Sequence, residues 1–435
     1  MARQMKESGV SWIGQVPQSW KVVRTKNCYT NKKQVVGDEA DNYERLALTL
    51  NGVIKRPKDD STGLQPEEFD SYQVLRENEL VFKLIDLANV ATSRVGYSPY
   101  VGIVSPAYII LHPRNDDESR FGEYYFLSMW QREVFNHMGD DGVRSSLNAT
   151  DLLNIPYLSV PNDEKQKIVK FLDKTCAEIE AVVAKTKATI EEYKKLKQSI
   201  ITEAVTKGIR GDRPMKDSGI EWIDSIPVEW DISRTKMLFT FGKGLPITKE
   251  NLIETGVPVI SYGQIHSKTN SGTALSDDLY RFVSEEYLET NASSLVNAND
   301  FIVADTSEDL DGCGNCVFVD SEMVLFAGYH TIIFRSNTGD NNKYLAYLFK
   351  TDAWRSQIRS KVSGVKLFSI SKKILSDTTL LLPSIEERAE IVAYLDAKCA
   401  EIDNIIASKT ALLEEMETYK KSVIYEYVTG KKEVL

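Results

Sequence analysis

The chain has 435 residues, 42% of them hydrophobic and 27% charged, an ordinary globular composition with material for roughly two to four domains. A formal net charge of −10 and a pI near 5.2 argue against nucleic acid as a partner, because phosphate binding normally needs a basic surface. The absence of a long apolar run, a polar N-terminus without an apolar stretch, and five scattered cysteines exclude, in turn, a membrane span, a secretory signal and a disulfide framework, so a cytoplasmic protein is expected.

In chain order, the first feature is a lead-in motif, Glu7-Ser8-Gly9-Val10-Ser11-Trp12-Ile13, followed by Pro17, Trp20 and Arg24-Thr25-Lys26. The same series returns 210 residues later as Asp217-Ser218-Gly219-Ile220-Glu221-Trp222-Ile223, Pro227, Trp230 and Arg234-Thr235-Lys236. Variable regions follow each copy, roughly 21–155 and 231–380, rich in Val, Ile, Tyr, Phe, Gly and turn residues. Strands are predicted at Ile103-Val104, Tyr108 to Leu111, Val257 to Gly263, Asp300 to Ala304 and Thr331 to Phe334, and helices over Phe121 to Met138 and Asn342 to Ser360. A Gly-Val-basic loop closes each region, Gly142-Val143-Arg144 and Gly364-Val365-Lys366.

Helical blocks come next, and they too repeat, now at a register of 223: Leu172-Asp173 with Cys176-Ala177-Glu178-Ile179 returns as Leu395-Asp396 with Cys399-Ala400-Glu401-Ile402. Capping boxes are predicted at Asp163/Gln166 and Ser384/Glu387, with no Pro or Gly from there to about Thr206 and Thr429, where Gly208, Gly211 and Gly430 stop the helices. An apolar seam is expected through Leu172, Ile179, Val182, Tyr193, Leu196 and Ile200, and through Leu395, Ile402, Ile405, Met416, Tyr419 and Val423. The chain thus reads as two half-molecules in tandem, with boundaries at 1–155, 156–212, 213–380 and 381–435. The fold class is α+β: two pseudo-twofold-related α/β domains separated by two long antiparallel coiled-coil helices.

Catalytic signatures are missing. There is no G-x-x-x-x-G-K-[ST], H-E-x-x-H or G-x-S-x-G, Gly242-Lys243-Gly244 lacks a third glycine, and no Pro-Pro of an adenine-methyltransferase motif occurs. Cys313-Gly314-Asn315-Cys316 has no second pair to complete a zinc set and reads as two thiols in a turn. No metal site is expected.

Charge is spread evenly: 16 Lys and Arg against 20 Asp and Glu in 21–155, 15 against 18 in 231–380, 13 against 13 in 156–230 and 7 against 11 in 381–435. Local clusters of side chains that suit base edges or phosphates remain. They are Lys55, Arg56, Lys58, Arg94, Arg144 with Ser145, Lys243, Gln264, His266, Lys268, Lys361 and Lys366, interleaved with Tyr72, Tyr97, Tyr100 and Tyr262.

The lead-in motif with Ile226-Pro227 and Trp230, the start at 383–387, Ile391-Val392 to Leu395-Asp396, and Tyr419-Lys420-Lys421-Ser422-Val423-Ile424 running into Val428-Thr429-Gly430 resemble the DNA-specificity (S) subunits of type I restriction-modification systems. Leu196-Lys197-Gln198-Ser199-Ile200 and Val205-Thr206 repeat the last of these, and Arg388 departs from the family, which often has Gln there. The resemblance implies two target-recognition domains, each reading half of a split, asymmetric double-stranded DNA site, and paired helices that set the gap between half-sites. It implies partners as well: two modification subunits carrying S-adenosylmethionine and methylating adenine N6, and restriction subunits carrying ATP and Mg. The chain itself would have no catalytic residues. Alternatives are a specificity subunit of an orphan or phase-variable methyltransferase without a nuclease, a non-catalytic two-domain DNA-binding regulator, or an enzyme with an unrecognised motif.

Overall fold

The computed structural model describes residues 3–50, 52–60, 68–85, 87, 94–115, 118–138, 146–338, 340–364 and 366–434. The chain divides into two compact units, Met1–Lys187 with Thr410–Leu435, and Ala188–Lys409. Each takes the first half of the long helix that follows its own domain and part of the other long helix.

In the first unit the lead-in motif is a hairpin, Met5–Glu7 paired with Gln15–Pro17. Lys21–Arg24 then pairs with Pro156–Ser159. An antiparallel sheet runs in the order Tyr29–Thr30, Ile109–Pro113, Leu80–Lys83, Arg94–Tyr97. The second unit repeats this plan: Met215–Ile220 with Ile223–Pro227, Asp231–Arg234 with Thr379–Leu382, and a sheet ordered Phe239–Lys243, Thr331–Ser336, Phe301–Ala304, Cys316–Phe318. It adds a second sheet, Arg281–Val283, Val257–Ile260, Leu325–Ala327, Leu295–Val296, whose middle pair is parallel. The β-branched and aromatic runs form strands where the sequence predicts them, except that the run from Val257 stops at Ile260 and Tyr262 and Gly263 enter a short helix. The predicted helices are each broken in two. Glu118–Gln131 is followed by a tight turn at Val134–His137, and Lys343–Phe349 stops before Asp352–Arg359 because Thr351 is buried and its hydroxyl donates to Leu348 O at 2.7 Å.

The long helices are Asn162–Lys207 and Ile385–Val428. Ser384 caps the second as predicted, its Oγ accepting from Glu387 N at 3.2 Å, but the Glu387 carboxylate does not complete the box. It accepts instead from Trp230 Nε1 at 3.0 Å and from Arg213 at 2.6 Å, and the Arg213 guanidinium lies 5.2 Å above the Trp230 ring. In the first half Pro161 occupies the position of Ser384, so the start predicted at Asp163 and Gln166 is displaced and the helix begins at Asn162. Glu164 takes the role of Glu387: it accepts from Trp20 Nε1 at 2.8 Å and pairs with Arg3, which lies 5.3 Å over Trp20. Both tryptophans are fully buried.

A second tie repeats as well. Tyr124 donates to Asp173 at 2.7 Å beside Arg120, and Tyr347 donates to Asp396 at 2.6 Å beside Lys343. Each domain is thus held to the first turns of its own helix by two carboxylates.

Within each unit the helices pair antiparallel. In the first, Phe171 meets Tyr427 with ring centroids 4.3 Å apart and Glu180 meets Lys420 at 2.6 Å. In the second, Tyr193 meets Lys409 at 5.9 Å and Lys197 meets Asp403 at 2.6 Å. The seam of the first helix steps by four and three through Leu172, Cys176, Ile179, Val183, Thr186, Ile190, Tyr193 and Lys197 to Ile200, a heptad repeat. Three predicted seam residues fall outside it: Val182, Leu196 and Tyr419 are 46%, 48% and 53% exposed. Leu196 and Tyr419 each sit one residue before a lysine, Lys197 or Lys420, that occupies the seam and reaches a carboxylate, and Val182 precedes the half-buried Val183. A pattern read from large apolar residues selects the neighbour. Leu172, Ile179, Leu395, Ile402 and Val423 are buried as expected, and Tyr193, Ile200, Ile405 and Met416 are half-buried.

Removing Glu387 leaves the buried Trp230 indole N–H unpaired and Arg213 with only the half-exposed Glu229, at 3.1 Å, as a counter-charge. Glu387→Ala is expected to cost about 3–5 kcal/mol in urea unfolding followed by tryptophan fluorescence. Glu164→Ala is expected to cost less, because the Glu164 side chain is 25% exposed against 2% for Glu387. On the seam, Ile190→Ala should lower stability by about 2 kcal/mol or more, while Leu196→Ala should stay within about 0.5 kcal/mol in the same titration.

Candidate nucleic-acid interface

In the second unit the strand Val257–Ile260 ends in a one-turn helix, Tyr262–Ile265. Ser261 and Gln264 form its capping box, Ser261 N donating to Gln264 Oε1 at 3.2 Å, while Ile265 anchors the turn in the core. His266 follows and is fixed on both ring nitrogens: Nε2 lies 2.9 Å from Thr306 O and Nδ1 lies 3.1 Å from Asn315 Nδ2. A proton on Nε2 satisfies both contacts. Gly312 packs against this ring, where a Cβ would meet Nδ1 at 3.0 Å.

Tyr262, His266, Ser307, Asn315 and Arg355 line a cleft of about 520 Å³, with Glu308, Asp309 and Asp311 also on its wall. The turn Gly328-Tyr329-His330 stands beside it. The Tyr262 ring is 5.7 Å from Tyr329 and 5.4 Å from His330, and His330, at φ +57, lies 3.3 Å from Asp305. Gly244 meets Gly328 so closely that a Cβ would sit 1.9 Å from its carbonyl oxygen, which brings the exposed Lys243 to the same turn. Gln264 and His266 therefore stand just past the end of the strand Val257–Ile260, with exposed Lys268 two residues further along the chain and Lys243 approaching through the Gly244–Gly328 contact. Sequence reasoning missed Asp305, Asn315, Tyr329 and His330, whose only signal is a His in a Gly-Tyr-His turn.

The other candidates are placed differently. Lys55 pairs with Glu44 at 2.6 Å and lies over Tyr100, Arg56 donates to Asp60 at 2.7 Å, and Lys58 donates to Ala40 O at 2.7 Å. All three are thus engaged with neighbouring groups of the first unit. Lys361 and Lys366 are exposed on the loop after Asp352–Arg359. Arg94 lies in a strand opposite Lys83, and Arg144 and Ser145 lie outside the described residues. A second cleft, about 770 Å³, lies in the first unit between Trp12, Arg24, Arg132, His137 and Asn154.

Among the described residues no group of His, Cys, Asp and Glu is arranged to hold a metal ion. Cys313 and Cys316 are buried, and burial pushes the Cys316 thiol up to about 11. No helix among the described residues is long and apolar enough to cross a membrane.

Two copies of one α+β domain are thus each fixed to a long helix by a matching pair of carboxylates. Residues 227–417 match the type I restriction modification DNA specificity domain. The chain is 22% identical over 432 residues to the type I restriction enzyme MjaVIII specificity subunit of Methanocaldococcus jannaschii, covering 96% of this chain and 93% of that one. Its fold is similar to a chain in a structure describing complex assembly and conformational transition of a type I R-M system, with a TM-score of 0.71 at 14% identity, covering 96% and 99% of the two chains. It is also similar to the HsdS subunit from Thermoanaerobacter tengcongensis, with a TM-score of 0.51 at 14% identity, covering 98% and 100%. The chain is thus similar over nearly its whole length to a type I specificity subunit, and residues 227–417 match the DNA-specificity domain of such systems.

Buried thiols with raised pKa are poor nucleophiles. In the native protein at pH 8, Cys313 and Cys316 should react with a thiol reagent only after denaturant is added, and a chelator should leave the melting temperature unchanged. Rapid native labelling of either would contradict this placement.

Proposed function

We propose that the chain is the non-catalytic DNA-reading subunit of a type I complex, in which each unit reads one half of a bipartite, asymmetric site. Partner modification subunits, holding S-adenosylmethionine, methylate adenine N6 at the chosen site, and restriction subunits, holding ATP and Mg, cleave the DNA. The observation that carries this reading is the duplication itself: identical anchoring to the long helices, with diverged residues at the sheet ends. A pair of different readers on a common support is what an asymmetric split site requires.

The end of the sheet around Tyr262, Gln264 and His266 offers donors and acceptors of the kind base edges take. The carboxylates of Glu308, Asp309 and Asp311 on the neighbouring cleft are acceptors suited to an exocyclic amino group and repel phosphate. With a net charge of −10, the isolated chain is expected to bind duplex weakly at physiological salt, the partners supplying most of the positive field.

The deciding experiment is co-expression with an adenine methyltransferase partner followed by methylated-base sequencing. A single interrupted motif carrying N6-methyladenine in both halves is expected. Methylation by the chain alone, or a continuous motif, would overturn the reading. Seven residues inserted after Lys187 and seven after Lys409 preserve the heptad and add about 10 Å of helix. The spacer of the motif should then lengthen by roughly three base pairs.

A further inference from the structure

The repeated Arg-Thr-Lys triplet has no part in the reading above, although both copies survive where the surrounding sequence has diverged. The central threonine explains itself. Thr25 and Thr235 are fully buried, their N–H groups donate to Ile155 O and Thr378 O at 2.9 Å, and their hydroxyls approach the same carbonyls at 3.0 and 3.2 Å. Pinning the threonine turns its two neighbours outward, so Arg24, Lys26, Arg234 and Lys236 are all exposed.

Nothing in the fold requires these four to be cationic. Their contacts differ between the halves: Arg24 donates to Asn154 O at 2.5 Å, whereas Arg234 and Lys236 share the Asp377 carboxylate at 3.6 and 3.3 Å. The Lys26 ammonium has no partner among the described residues. Each pair has a third cation close by. Arg114 donates to Lys26 O at 3.2 Å, and Lys361 adds to the field on Asp377. Among the described residues Asp377 is the one carboxylate that pairs with Arg234 or Lys236, and none pairs with Arg24, Lys26 or Arg114.

A base contact would diverge with the half-site it reads. A phosphate is the same in every half-site, so a contact to it would be kept in both copies. Resting on the DNA-reading function proposed above, we infer that Arg24 with Lys26, and Arg234 with Lys236, are matched phosphodiester contacts, one pair per half, which set each domain's register on the duplex without reading its sequence.

The test uses the full chain assembled with its methyltransferase partners and compares wild type with Arg24→Gln/Lys26→Gln and Arg234→Gln/Lys236→Gln. Binding to cognate and scrambled duplexes is measured from low to physiological salt, with assembly followed by sedimentation and folding by thermal melting. The variants are expected to assemble and melt like wild type. They should weaken on both duplexes by the same factor, with a plot of log affinity against log salt flatter by about 1 for each phosphate lost. A loss confined to cognate DNA would make the pairs base readers, and failed assembly with an intact melt would make them a partner-docking surface; either overturns the inference. An unchanged slope beside a salt-sensitive wild type overturns it while leaving the DNA-reading function intact. A wild-type complex that binds no DNA overturns both.

Discussion

One carboxylate near the start of each long helix organises the molecule. Glu164 and Glu387 each accept an indole N–H and an arginine from the lead-in motif, at a helix end where the backbone dipole already favours negative charge. The motif without the helix would be a short hairpin with an unsupported tryptophan, and the helix without the motif would begin with a carboxylate facing apolar surface. Joined, they fix where a domain's sheet stands with respect to its own helix. The tyrosine ties to Asp173 and Asp396, three turns of helix or less away, remove the remaining freedom to rotate about that anchor. Two attachment points per domain are the least that can define a direction, which a protein that places recognition loops must do.

The halves differ where this frame does not constrain them. In the first, Lys165 and Glu118 form a buried ion pair at 2.5 Å; in the second the matching positions hold Arg388 and Asn341, and Arg388 turns to Pro383 O instead. The second half also builds a four-stranded second sheet where the first has two short hairpin-like pairs. Solved structures at 14% identity share the fold, as expected when a few anchoring contacts and a hydrophobic pattern carry it.

Much of the frame was legible in the sequence. Repeated tryptophans, an uninterrupted Lys and Glu-rich stretch and strand-like runs identified the halves, the helices and most central strands. The seam was partly misread, because Thr186, Lys197 and Lys420 occupy positions that a search for large apolar residues passes over. The anchors could not be read at all. Trp20 and Glu164 are 144 residues apart, and a capping-box glutamate looks the same whether it bonds its own backbone or a distant indole. The candidate interface was legible only where residues lay close in sequence, as with Gln264, His266 and Lys268. Asn315 and His330 join them through sheet topology, and the basic trio at Lys55, Arg56 and Lys58 is engaged by Glu44, Asp60 and Ala40 O.

The division of the chain into units has a consequence for biosynthesis. The second unit is one continuous stretch, Ala188–Lys409, and is complete once that stretch has left the ribosome. The first is interrupted: its core includes Val423, Ile424 and Val428, which are synthesised after the whole of the second unit and are 4%, 0% and 0% exposed in the finished fold. Although its domain is made first, its hydrophobic surface stays open until these residues have been made. The N-terminal half therefore matures after the C-terminal half, reversing the usual vectorial order, and it is the half that depends most on protection from aggregation while the rest of the chain is made.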